Sequence, residues 1–236
     1  MFDDFGHLLA AAVVFLGLHM VPARAGVRDW LIGLVGRRGY MAAFSVLALA
    51  ALVALVTAFN HAPYGPVLWN FGELGSIVAV AVMPVAFVLL VAGVSAPNPT
   101  AATANDGPPK VGPATGAMRI TRHPVMWALA LWAGTHLLAN GELRAVILFG
   151  TLAALALAGI HTIDAKTRAR NPLVYQVLEA ETSRWPFAAI LAGRQSLGAA
   201  VREIGWPRLA VALVLYAAIL HLHPWAFGVY AIPTTL

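Results

Sequence analysis

Histidine is the residue type through which this chain could do chemistry. It has eight, at positions 7, 19, 61, 123, 136, 161, 221 and 223, and no cysteine. Neutral imidazole is the commonest protein ligand for metals and for haem iron. The lack of cysteine excludes disulfides, thiolate nucleophiles, Cys-ligated zinc and iron–sulfur clusters. Spacing limits what the histidines can do together. His123 and His136 lie roughly 220° apart around a helix and about 20 Å apart along it, so they cannot hold one metal between them. His136 shares its face with Leu129, Trp132 and Asn140. An aromatic ring four residues before a histidine suits a flat macrocycle or a polyene. His19 stands inside the apolar run FLGLHMVP and is the strongest chemical partner for it. Met20 follows, but neighbours on a helix diverge by about 100°, so His19 and Met20 cannot take the same iron. His221 and His223 point to nearly opposite faces and cannot both serve one centre.

The elements that must position these residues are membrane helices. The chain of 236 residues is 60% hydrophobic and 11% charged, with mean hydropathy +0.78. A soluble domain of this size could not cover so much apolar surface. The reading is an all-α, polytopic membrane protein forming one domain over residues 1–236. Six apolar stretches approach the ~20 residues of a span, at 4–22, 40–59, 74–94, 123–140, 143–162 and 208–228. The acidic start MFDDFGHLL is read as part of the first span and not as a cleavable signal. The run SAPNPTAATANDGPPKVGPATG is expected to be a flexible loop. Between the fifth and sixth spans, at about 163–207, the chain is mixed polar and apolar. Leu173, Val174, Val177 and Leu178 share one face, and Phe187, Ile190 and Leu191 share another after Pro186. Two short amphipathic helices on the membrane surface are expected there.

Charge sets the orientation. Fourteen of the 15 Lys and Arg residues lie in 23–39, 95–122 and 163–208, and only Arg144 lies elsewhere. The positive-inside rule makes those regions cytoplasmic and both termini periplasmic in a bacterial inner membrane. It also explains the pI of 10.1 without nucleic acid. His19, His123 and His161 then fall toward the inner side, and the other five toward the outer. His61 in a loop and His161 at a helix end can be plain interfacial residues. Most arginines need no role beyond topology.

The runs RHPVMW…LW…THLLANGE and NPLVYQVLEAETSRWPFAAIL resemble the NnrU family of membrane proteins. So do LGLHMVPARAGVRDW, GRRGYMAAFSVLAL and FNHAPYGPVLW, so the likeness extends over most of the chain. The resemblance implies an association with denitrification, with nitrite or nitric oxide reductase components as partners. The family is in turn similar to 15-cis-zeta-carotene isomerase, a haem b protein. That likeness implies haem b on His19 and His136, with His61 and His123 in the same pattern. Trp132 would pack on the haem, and Arg122 on the rim would pair with its propionates. The isomerase has a cysteine near its second haem histidine. Here Ala133 stands in that neighbourhood, so thiolate exchange is ruled out. Depth along the helices favours His7 with His136, or His19 with His123, and the ligand pair stays open at this point.

A more distant resemblance joins Arg122-His123-Pro124, Glu179, Glu181 and the later RWP to isoprenylcysteine carboxyl methyltransferases, in which RHPxYxG helps to bind S-adenosylmethionine. Met126 and Ala128 replace the Tyr and Gly of that motif. Three functions are therefore expected in order. The first is a haem b membrane protein of nitric oxide metabolism or of isomerisation of a small conjugated hydrophobic ligand. The second is a non-enzymatic assembly factor for a reductase. The third is a methyltransferase-like enzyme. No catalytic residue is assigned.

Overall fold

The computed structural model describes residues 5–98 and 114–232. Residues 99–113 of the expected flexible loop, and both chain ends, lie outside the described residues. The described part is all-α: α1 Gly6–Met20, α2 Ala25–His61, α3 Glu73–Ser95, α4 Pro124–Ala139, α5 Leu143–Arg170, α6 Pro172–Glu181, α7 Ala188–Leu191, α8 Leu197–Ile204 and α9 Trp206–Phe227, with a 3₁₀ turn at Gly116–Arg119 before α4.

Four helices, not six, have the length and apolar character of a span: α2, α3, α5 and α9. The expected first and fourth spans are shorter. α1 has 15 residues and α4 has 16, so they rise only about 22–24 Å against a hydrocarbon layer of about 30 Å. Their ends explain the shortfall. α1 stops where Pro22 follows, and α4 cannot begin before Pro124, because His123 is non-helical (φ −123°, ψ 56°). The basic region 23–39, which lies between the first two expected spans, is helical from Ala25 and breaks at Gly36, whose φ of +73° suits glycine. α5 runs on to Arg170 instead of ending near 162.

The surface segment also differs in detail. Three helices replace the expected two, because α8 forms as well. In α6 the inward residues are Val174, Tyr175 and Leu178, while Leu173 is exposed. α7 starts after Phe187, not at Pro186, and Leu191 points outward.

Small residues bring α3 and α4 together. A Cβ on Gly75 would lie 2.8 Å from Ala139 Cα, and one on Gly93 would lie 2.7 Å from Val125 Cγ2. The helices therefore pack antiparallel over their whole length, by the small-residue logic of membrane helices. Ala130 is buried, whereas a Cβ on Gly134 would meet nothing within 4 Å. On the other side of the bundle Phe5, Leu8, Ala12, Phe15, Ala51, Leu55 and Leu148 form a core joining α1, α2 and α5. α9 lies on α3, where the Tyr216 hydroxyl donates to the Val80 carbonyl at 2.9 Å.

A polar clasp closes the end of the bundle at the α4–α5 turn. The Glu142 carboxylate accepts from the Gly65 N–H at 2.6 Å and from the Arg144 N–H at 3.1 Å, which caps α5. The Arg144 guanidinium lies 3.6 Å from the Tyr64 ring centre. Gly141 sits so near the Trp69 backbone that a side chain there would collide with it. The one basic residue on this side of the charge pattern thus has a structural job.

Opposite ends of the bundle should face opposite sides of the membrane. Asn60 ends α2 near the clasp, and Gln176 lies on α6; both are exposed. Single cysteines at these two positions should react with an impermeant thiol reagent from opposite sides of sealed vesicles. Labelling of both from the same side would contradict the topology.

Candidate functional site

The polar end of the bundle is organised by a residue that sequence patterning passed over. Asp164, on the extension of α5 toward the polar surface segment, is buried. Arg122 grips it with Nε at 2.9 Å and Nη2 at 2.7 Å, and the two side chains are each only 5% exposed. His123 Nε2 lies 2.8 Å from Oδ1, and Arg184 Nε donates to Oδ2 at 3.0 Å. One carboxylate thus gathers three side chains from the start of α4 and from the α6–α7 connection. Burial pushes the His123 imidazole below its ordinary pKa against the pull of Asp164. Asp164 accepts, so Nε2–H donates to the carboxylate. Nδ1 is, among the described residues, a buried side-chain atom with no hydrogen-bond partner.

The backbone follows the same plan. The Arg122 N–H donates to the Ser183 carbonyl at 3.0 Å, and the Phe187 N–H to the Ile120 carbonyl at 2.9 Å. The Thr121 hydroxyl and the Trp127 indole both donate to the Arg184 carbonyl, at 2.9 and 2.8 Å. Phe187 adopts φ +64° to make the turn, an uncommon conformation for a bulky side chain. The RITRHP and ETSRWP segments are thereby zipped together. Outside them, Arg119 pairs with Glu203 at 2.8 Å, and Glu203 and Glu181 accept from the Gly116 and Ala114 N–H groups.

The other expected site residues lie elsewhere. The start of α1 is beside the start of α5, since both Phe5 and Leu143 crowd Gly65. α4 ends at that same level, which places His136 there. His19 lies about 20 Å farther along α1 from Phe5. Its ring neighbours are Phe15 at 4.3 Å and Phe44 at 6.0 Å. Among the described residues no ring contact joins His19 to His136. His123 and Arg122 stand at the far end of α4 from His136, so Arg122 meets Asp164 and not a group bound at His136. His7, His61, His161 and His221 are exposed.

His136 has the surroundings expected of it. Its Nδ1 lies 2.8 Å from the Trp132 carbonyl, and its ring centre lies 5.5 Å from Trp132 and 5.1 Å from Phe149. Trp132 and Phe149 meet edge to face at 5.8 Å. A neighbour that sequence spacing did not single out completes the group: His223 on α9, with ring centres 6.4 Å apart. Ala133 is fully buried, so this face of α4 offers packing and no side-chain donor at that position. Chemically the two ends divide. One is a charge cluster gathered on Asp164, with His123 Nδ1 as its one buried unpaired atom among the described residues. The other is a pair of imidazoles in an aromatic setting.

The charge cluster should act as a structural knot. Asp164→Asn leaves the buried Arg122 guanidinium, and the half-buried one of Arg184, short of their counter-charge and should cost about 3–5 kcal/mol, seen as a lower melting temperature in detergent. Arg168→Ala removes an exposed contact with Glu179 and should cost about 1 kcal/mol or less. Equal losses in the two variants would show that the cluster does not hold the fold.

Residues 7–231 match the model of the family described as NnrU protein. The chain is 30% identical over 191 residues to 15-cis-zeta-carotene isomerase, chloroplastic, of Zea mays, covering 80% of this chain and 52% of that protein. The protein of the same description from Arabidopsis thaliana is 33% identical over 193 residues, covering 80% and 50%. The chain thus spans about half the length of the curated relatives it matches. No solved structure matches it. With nearly its whole length aligned to one family model, the chain belongs to the NnrU family.

Proposed function

We propose that this chain is an isomerase-like protein of the bacterial inner membrane, with both termini periplasmic, that carries haem b at His136 and acts on a conjugated, carotenoid-like hydrophobic molecule. The observation that carries the proposal is the state of His136 in a chain related to proteins named 15-cis-zeta-carotene isomerase. A backbone carbonyl accepts only, so the Trp132 carbonyl fixes the proton on Nδ1. The neutral ring then keeps its Nε2 lone pair for a metal, the arrangement usual in metal-binding histidines. The donor set therefore fits haem iron. When bound, haem b supplies a redox or Lewis-acid centre able to weaken a conjugated double bond.

The residues of this chain do the rest. Trp132 and Phe149 offer flat apolar faces beside His136, suited to a macrocycle or a polyene. Leu129 is half exposed on the same face of α4, toward the lipid from which an apolar substrate would enter. The Asp164 cluster fixes the opposite end of α4 and so holds the register of His136. Arg122 and His123 are committed to Asp164, which leaves them poorly placed to receive S-adenosylmethionine. The methyltransferase alternative accordingly loses support.

Protein purified in detergent from cells fed a haem precursor should show a Soret band. Incubated with 15-cis-zeta-carotene, it should convert the 15-cis bond to trans, and His136→Ala should lower the rate at least tenfold, by chromatography of the carotene isomers. Haem binding without conversion of the carotene would refute the isomerase reading. A chain that binds no haem but restores nitrite reductase maturation in a deletion strain would favour the assembly-factor reading.

A further inference from the structure

Two groups of basic residues stand at the polar end of the bundle, and they are built differently. In the first, Arg122 and Arg184 share Asp164, the one buried carboxylate among the described residues. The second gathers Arg28 of α2 with Lys166 and Arg170 of α5. Its construction starts with the break at Gly36 (φ +73°, ψ 164°). Arg28 and Tyr40 are twelve residues apart. An unbroken helix would set their Cα atoms about 18 Å apart along the axis and about 120° apart around it. Instead the Arg28 guanidinium lies 5.7 Å from the Tyr40 ring centre. The Tyr40 hydroxyl in turn donates to the Pro22 carbonyl at 3.0 Å. The arm 25–35 is thus bent onto the buried Tyr40, and the Arg28 side chain is left only 16% exposed.

The end of α5 brings more positive charge to the same place. Lys166 and Arg170 are one turn apart, and both lie within electrostatic range of Arg28. Arg37 lies within range of Arg170. Lys166 is half-buried and makes no hydrogen bond or ion pair among the described residues. Arg28 has one carboxylate partner among them, the exposed Asp29, at 3.5 Å. Setting membrane topology does not require such an arrangement, since the exposed Arg38 serves that purpose without being covered. Like charges held together partly out of water are unfavourable unless an anion lies between them.

Depth identifies the anion. Lys166 lies about 35 Å along α5 from Leu143, beyond a hydrocarbon layer of about 30 Å and within the ~40–45 Å that includes the headgroups. The arm beside it exposes Trp30, Leu34 and Val35, apolar side chains suited to that boundary. The anionic group abundant at this depth is the phosphate of a phospholipid. Arginine and lysine both bind phosphate, and basic pockets between membrane helices take lipid headgroups.

We infer that the bent arm of α2 and the end of α5 form a binding site for the phosphate of an anionic phospholipid, held by Arg28 and Lys166 with Arg37 and Arg170 at its edge. The site stands at the opposite end of the bundle from His136 and does not depend on the proposed function.

The test uses the full chain, stripped of lipid in an uncharged detergent, with bound lipid counted by native mass spectrometry and stability followed by thermal unfolding. Dioleoylphosphatidylglycerol should bind at one per chain and raise the melting temperature. Dioleoylphosphatidylcholine, which has no net charge, should do neither at the same concentration. Lys166→Gln should weaken phosphatidylglycerol binding about fivefold. Combining it with Arg28→Gln should abolish binding, and Arg38→Gln should leave it unchanged. Without lipid, Lys166→Gln should melt no lower than wild type, because it removes a repelling charge; this separates loss of the site from loss of the fold. A lower melting temperature there would show that Lys166 has a partner within the chain, and would overturn the site. Equal binding of phosphatidylcholine, or unchanged phosphatidylglycerol binding in Lys166→Gln, would also overturn it. Stabilisation by inorganic phosphate alone, lost in the same variants, would uphold the phosphate site and overturn the lipid as its source.

Discussion

The fold depends on a single carboxylate with three partners. Asp164 lies where the apolar helix bundle meets the polar surface segment, and it is the counter-ion through which the two are joined. A lone buried carboxylate or guanidinium would be costly, so each partner needs the others in place. The pairing is directional as well as charged. Arg122 meets both carboxylate oxygens, and this fixes the orientation of the chain as it enters α4. Isolated ion pairs often add little net stability. Their value here is specificity, since one arrangement pairs every charge of the cluster in a region that apolar packing alone would leave free to slide.

From that anchor the rest of α4 follows. Pro124 starts the helix immediately after His123, and the close contacts of Gly93 with Val125 and of Gly75 with Ala139 seat it against α3. Rise per residue then carries His136 to the opposite end. At that end a second polar fastening, Glu142 with Gly65 and Arg144, closes the α4–α5 turn. His136 is thereby held between two fixed points on a rigid element, so its position is set by the fold. The helices that carry the fastenings differ in character. α9 is largely exposed along its length, as a lipid-facing helix would be, whereas α4 is short and enclosed by its neighbours.

The two ends of α4 also explain why one motif supports two resemblances. The Arg122-His123-Pro124 start belongs to a docking device that any protein with a polar segment folded under a helical bundle could use. The Trp132–His136 stretch is the part on which the proposed function rests. Likeness in the first part speaks to fold alone, and fold does not fix function.

Composition by itself determined the class. A chain so apolar, with its basic residues confined to three stretches, has few stable solutions other than a helical membrane bundle. The periodicity around His136 likewise marked Trp132 as its neighbour, because that contact is local to one helix. Span number was less legible, since hydropathy measures how apolar a stretch is but not where a proline ends it, as at Pro22 and Pro124. Asp164 was hidden for a related reason. It sits in a polar run, HTIDAKTRAR, where an acidic residue looks solvated, and only the fold of α5 against the start of α4 buries it. His223 was hidden because its partner comes from a helix almost ninety positions earlier. Helical period tells which residues share a face, while the pairing of faces between distant helices is decided by packing, through Gly75 and Gly93 between α3 and α4 and Tyr216 between α3 and α9.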